Sequence, residues 1–200
     1  DGGVRMALDA FKAAREENGK SDNRHTICHL QMIDPVDAPR FGKLGVCSSF
    51  QPLWARVDEW VTDLNIPQVG ENRAKTFYVI KSVHKNGGII AGGSDWFVSR
   101  MNPLEAIETA VRRQDPYLPN DSPRLNFEEA VDVETMIAAY TINGAYLMHQ
   151  EQKTGSIEVN KKADLIILDQ NICKIPSSEI HKTKIIQTIF DGQIVYDCQS

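Results

Sequence analysis

Residues 89–95, IIAGGSD, decide how this chain is read. The apolar run follows Asn86-Gly87-Gly88 and is too short for a helix, so it predicts a buried strand. A carboxylate at the end of a buried parallel strand does little for folding but is well placed to ligate a metal or accept a proton. Asp95 is therefore the first candidate catalytic residue, and the glycines before it let backbone or substrate approach closely. The local sequence leaves open a plainer role, in which Asp95 caps the turn that follows.

Working outward, helices and short buried strands alternate. Val4, Ala7, Leu8, Phe11 and Ala14 share one face of a helix over residues 3–18, stopped at Asn18-Gly19. Residues 25–30 and 46–50 predict strands, with a helix between them opened by Asp34-Pro35 and running to Gly45. Residues 72–85 place Ala74, Phe77, Ile80, Val83 and His84 on one helical stripe. Asn102-Pro103 opens a helix over 103–114, residues 115–123 read as a Pro-rich loop, and 128–150 predict one or two helices interrupted at Asn143-Gly144. The pattern then changes: residues 155–169 and 184–197 predict strand pairs, the second joined at Asp191-Gly192.

This order implies an α/β fold, with parallel βα units over residues 1–150 and a small antiparallel β region over 151–200. Periodicity does not separate a closed barrel from an open sheet, but both carry ligands at the carboxyl ends of their strands. Those ends are His29, Gln51 and Asp95. A neutral imidazole at position 29 can donate to a metal, although a satisfied core histidine has the same sequence signature. His25 cannot join it, because four residues of strand separate the two by roughly 13 Å. Cys28 should face the other side from His29 and serve as a core thiol. Trp54 and Trp96 each follow a strand end, where they wall a substrate pocket or simply pack. His84 and His149 sit near helix C-termini, where the dipole favours them, and His181 carries no local signal.

The bulk properties remove several classes. With 200 residues, 42% hydrophobic, 24% charged and a net charge of -5, the chain lacks the basic clusters that a nucleic acid or anionic membrane partner needs. Four cysteines without CxxC spacing point to neither a zinc ribbon nor a disulfide framework, and suit a reducing cytoplasm. No apolar stretch approaches the roughly 20 residues that span a bilayer. No GxGxxG, GxSxG or P-loop occurs. The opening Asp1-Gly2-Gly3, without an initiator Met and directly before a helix, leads us to expect a fragment.

Taken in order, DGGVRMALDAFKAA (1–14), RHTICHLQ (24–31), FQPLWA (50–55), GGSDWFVSRMNPLEAI (92–107), YTINGAY (140–146), TGSIEVNKKADLIILD (154–169) and DGQIVYD (191–197) resemble the C-terminal region of the amidohydrolase superfamily, in its amidohydrolase-3 or YtcJ-like branch. The resemblance implies the later part of a (β/α)8 TIM-like barrel, about strands six to eight, over 1–150, with strands of a small β-sandwich over 151–200. It implies hydrolysis of a carbon-nitrogen bond in a small amide-like substrate, assisted by a divalent metal such as zinc. His29 matches the metal-ligating His of the sixth strand, and Asp95 the Asp after the eighth, which is both ligand and base. Gln51 follows the seventh strand and, with Trp54 and Trp96, falls among substrate-binding positions.

The departures matter as well. The fifth-strand ligand sits in a His-Ala-x-Gly-Asp motif whose last residue would be Asp1, so that His, the first-strand HxH and the fourth-strand ligand lie outside these residues. Phe97 replaces a common Pro, and Cys28 a common Glu. The expectation is a metal-dependent enzyme at full length and a metal-free, inactive chain in isolation, whose open edges favour homo-oligomers. The alternative is a non-catalytic binding or regulatory protein on the same scaffold.

Overall fold

In the computed structural model, which describes residues 1–198, helix α1 (Gly2–Asn18) begins where the Asp1 carboxylate accepts the Gly2 N–H, and ends at Gly19 with φ 80°. Strands β1 (Thr26–His29), β2 (Cys47–Phe50) and β3 (Ile90–Gly92) form a parallel sheet in that order. His29 pairs with Phe50, and Phe50 with Gly92, so the three strands end level with one another. Helix α2 (Ala38–Leu44) connects the first two strands. From β2 the chain passes a 3-10 turn (Pro52–Trp54), a π-helical segment (Trp60–Asn65), the single turns α3 (Ile66–Val69) and α4 (Glu71–Ala74), and α5 (Ile80–Lys85). Phe41, Phe50, Phe77, Ile80 and Ile90 are buried together as the centre of the core.

Beyond β3, α6 (Pro103–Arg112) is capped by Asn102, and α7 (Val133–Tyr140) and α8 (Ile142–Leu147) pack on the sheet. Gly92 permits that packing: a Cβ there would stand 2.4 Å from the Tyr140 ring. The second sheet is antiparallel, with β5 (Ile185–Phe190) between β4 (Leu165–Leu168) and β6 (Gln193–Asp197). As the sequence predicts, Asp191 and Gly192 turn the β5–β6 hairpin, both at positive φ.

Several local expectations are corrected. The stripe over residues 72–85 is not one helix. Tyr78 takes φ 51° and donates its N–H to the Gln31 carbonyl (2.9 Å), while the Arg113 guanidinium holds the carbonyls of Phe77 and Tyr78 at 3.1 and 3.0 Å. Burial pushes that guanidinium down to about 10, which still leaves it charged at neutral pH. Asp34 forms a turn by accepting the Val36 N–H, so α2 starts only at Ala38. The break between α7 and α8 falls at Thr141, and Asn143 lies within α8, its amide donating to the Ile90 carbonyl at 2.8 Å. Residues 155–163 form turns rather than a strand, since Ile157 and Val159 are 86% and 90% exposed and have no face to cover. Cys28 is exposed rather than buried, because its face of β1 is left uncovered.

Two polar clusters tie the later residues to the parallel sheet. Below β1, Arg24 pairs with Glu151 at 2.8 Å, donates to the Tyr146 carbonyl, and lies 3.8 Å from the centre of the Tyr146 ring. On α6, the fully buried Glu108 receives the backbone N–H and ring Nδ1 of His181 at 2.8 and 2.7 Å and the guanidinium of Arg112. His181, unmarked by its sequence context, thus fastens the 3-10 segment Ser177–Lys182 to α6.

Candidate functional site at the strand ends

The level register of the sheet brings three strand exits onto one rim. At the first, His29 has φ 70°, a conformation that non-glycine residues rarely adopt and that turns the chain sharply out of β1. At the third, the ladder continues one step as Gly93 donates its N–H to the Phe50 carbonyl at 2.9 Å, and Asp95 then takes φ 53°. Both candidate ligands thus occupy strained backbone positions where their strands stop, a pattern common at functional sites.

Between them lies Gln51, only 5% exposed. Its Oε1 is 3.0 Å from His29 Nδ1, and its Nε2 lies 3.7 Å from where a Cβ on Gly93 would stand. An acceptor facing Nδ1 requires the Nδ1–H tautomer, which leaves the Nε2 lone pair for another partner. Trp54 stacks on the same imidazole, with ring centroids 5.6 Å apart and planes inclined by 13°. His29, Gln51 and Trp54 therefore form one unit. The sequence flags Gln51 as a substrate contact, whereas its oxygen is engaged with His29.

Asp95 and Trp96 stand apart from that unit. Among the described residues the Asp95 carboxylate accepts no hydrogen bond; the turn after it is held by Val98 N–H on the Asp95 carbonyl (2.7 Å) and by the Ser99 hydroxyl on the Ser94 carbonyl. The capping of α6 falls to Asn102, whose Oδ1 accepts the Leu104 N–H at 3.1 Å. Backbone and neighbouring side chains thus do the work that a capping Asp95 would have done. Trp96 is 64% exposed. His25 lies at the opposite end of β1, stacked on Phe11 at 4.4 Å.

An imidazole nitrogen and a carboxylate suit a borderline divalent ion such as zinc, and the other ring nitrogen is already oriented by a hydrogen bond, as metal-ligating histidines usually require. The donor set is nonetheless incomplete. Among the described residues no group of three or more His, Cys, Asp and Glu side chains is placed to hold a metal, and a catalytic zinc ordinarily takes three protein ligands. His29 and Asp95 fit as members of a larger set.

Fold and rim together define an α/β protein with polar residues at the carboxyl ends of a parallel sheet. The chain belongs to the amidohydrolase family, whose model matches residues 1–196. It is 32% identical over 197 residues to the protein LONG AFTER FAR-RED 3 of Arabidopsis thaliana, covering 96% of this chain and 32% of that protein. It is 26% identical over 195 residues to an N-substituted formamide deformylase of Arthrobacter pascens, covering 97% and 34%. A solved metal-dependent hydrolase of Pyrococcus furiosus superposes with a TM-score of 0.65 at 26% identity, over 87% of this chain and 32% of that one. The chain spans about a third of the length of the curated relatives it matches.

Proposed function

We propose that this chain supplies the later strand ends of a (β/α)8 barrel in a metal-dependent hydrolase of carbon-nitrogen bonds, with His29 as a metal ligand and Asp95 as ligand and base. The observation that carries this reading is the His29–Gln51 contact at 3.0 Å, which presents Nε2 on a rim where the Asp95 carboxylate is uncommitted. The deformylase relative and the metal-dependent hydrolase supply independent support.

When bound, a divalent ion such as zinc would lower the pKa of water and polarise the scissile carbonyl. This chain's residues do the rest. Asp95 accepts the proton of the attacking water at a carboxylate oxygen and returns it to the leaving nitrogen, so that a neutral amine departs. Gln51 keeps the imidazole of His29 in one tautomer and orientation. Trp54, fixed against that ring, restricts the space beside it.

The reading is tested on the protein that carries the remaining ligands. Asp95→Asn should cut turnover by about 10²- to 10⁴-fold, the usual contribution of a general base, and His29→Ala should lower the bound metal. Unchanged metal content and turnover in both variants would overturn it. The 200-residue chain alone should bind no stoichiometric metal and hydrolyse no amide. Its sheet edges and the exposed Ile166, Ile194 and Tyr196 should make its mass rise with concentration in light scattering.

A further inference from the structure

Beside the ends of β1 and β2, the residues after them and Val98 and Ser99 line a half-open pocket of about 450 Å³. That lies within the roughly 300–1,000 Å³ typical of small-molecule sites. Three of its lining side chains, Trp54, Trp60 and Tyr78, are aromatic, and Val61, Leu64 and Val98 add apolar surface. Trp54 is also the ring stacked on His29, so the cavity and the candidate ligand share a wall.

The charges in the cavity lining balance, Arg56 against Asp58. Arg56, the cation of the lining, has Nη1 3.1 Å from the Asp115 carboxylate and Nε 3.9 Å from that of Asp58, although neither nitrogen makes a hydrogen bond among the described residues. Arg56 and Asp58 cancel within the lining and Asp115 stands behind Arg56, so an anion meets no net positive charge there, while the two free N–H groups suit a neutral acceptor. Tyr78 is buried, which pushes its phenol up and keeps it a neutral hydroxyl. Trp60 is 70% exposed and contributes little to the core, an unusual place for so large an apolar ring unless something covers it.

We infer that this cavity is a subsite for an uncharged aromatic substituent of the substrate, lying next to the bond that is cut. The assignment to a substrate rests on the hydrolase reading above; the preference for a neutral aromatic group does not. A planar ring between Trp54, Trp60 and Tyr78 gains offset-stacked and edge contacts that a saturated ring of similar size lacks. A carboxylate or phosphate on that ring would meet Asp58.

The three tryptophans, Trp54, Trp60 and Trp96, make the test internal, because Trp96 is outside the lining. Titration of the chain with phenylacetamide should shift the indole N–H resonances of Trp54 and Trp60 saturably and leave that of Trp96 in place. Cyclohexylacetamide and acetamide should bind more weakly, and Trp60→Ala should weaken phenylacetamide about two- to twelvefold, the range expected for one lost aromatic contact. Trp60 is exposed, so its truncation should not unfold the chain. Equal binding of the cyclohexyl compound, equal shifts at all three indoles, or no shift up to the probe's solubility would overturn the inference. None of these readouts needs metal or turnover, so failure of the hydrolase reading would appear separately, in the metal content and rate of the His29 and Asp95 variants.

Discussion

Replacing Glu108 with Ala should destabilise the chain more than any change at the rim. Glu108 is fully buried and accepts from three donors: Arg112 at one oxygen, and the backbone N–H (2.8 Å) and ring Nδ1 (2.7 Å) of His181 at the other. Truncation leaves the buried guanidinium of Arg112 without its carboxylate, although it keeps the amide oxygens of Gln114 and Asn120 at 2.7 and 2.8 Å. Breaking a buried pair by removing one partner costs about 3–5 kcal/mol. The two remaining acceptors place the effect near the lower end, about 3 kcal/mol. For a chain of this size that corresponds to a fall of about 6–12 °C in Tm by calorimetry. Glu108→Gln keeps the shape and one acceptor oxygen, and should lose about 1–3 kcal/mol. A fall of less than about 1 kcal/mol for Glu108→Ala would refute the view that this cluster fastens Ser177–Lys182 to α6. A double-mutant cycle with His181→Ala should show coupling of about 0.5–3 kcal/mol, since the two side chains touch.

Other perturbations test the rim, the packing and the electrostatics. Gln51→Leu removes the acceptor facing His29 Nδ1, so long-range ¹H–¹⁵N correlation spectra should show the Nδ1–H tautomer in the parent and its loss in the variant; an unchanged tautomer would dismiss Gln51 as the orienting group. Gly92→Ala drives a methyl into the Tyr140 ring and should cost about 1–3 kcal/mol, as overpacking does; a neutral denaturation midpoint would mean that α7 shifts freely. The hydrogen bonds from Arg24 hold the Glu151 carboxyl down at about 2, against an unfolded value near 4.5. A carboxylate depressed in the folded state stabilises it above the unfolded pKa and loses that effect as pH falls through the folded one. Stability should therefore drop between about pH 4.5 and 2, and Arg24→Gln should move the Glu151 titration, followed by NMR, back toward 4.5.

The sequence exposed the parallel strands and the helices over 3–18 and 103–114 better than the segments between them, and the reason is physical. IIAGGSD, RHTICH and VCSSF are short segments bounded by turn residues, and each matches its observed strand to within about three residues at either end. The helical stripe at 72–85 misled because its apolar spacing is genuine while its backbone is diverted by Arg113, which lies 35 residues beyond Tyr78 in the chain. Asn143-Gly144 carried a turn signal, but the Asn143 amide is occupied by the carbonyl of Ile90, and the helix continues through both residues. At the site, His29, Gln51 and Asp95 were legible as strand ends, because a parallel sheet puts its polar residues there. Which of them touch was not. The His29–Gln51–Trp54 unit depends on χ angles and on a positive φ at His29 that no neighbouring residue announces. The Glu108–His181 lock was invisible for a similar reason, since its partners are 73 residues apart.

The level ends of the sheet carry one further consequence. Along β2 the amides alternate sides, Cys47 bonding back to His25 and Ser48 across to Ile89. Only this strand, among the described residues of the parallel sheet, has a neighbour on both edges. Amide hydrogen exchange should consequently mark residues 47–50 as an unbroken protected stretch, with alternating protection on β1 and β3. The relative height of His29 and Asp95 is thus recorded in a single four-residue strand that carries neither of them, and a one-residue slip of β1 or β3 against it would turn one of the two away from the rim.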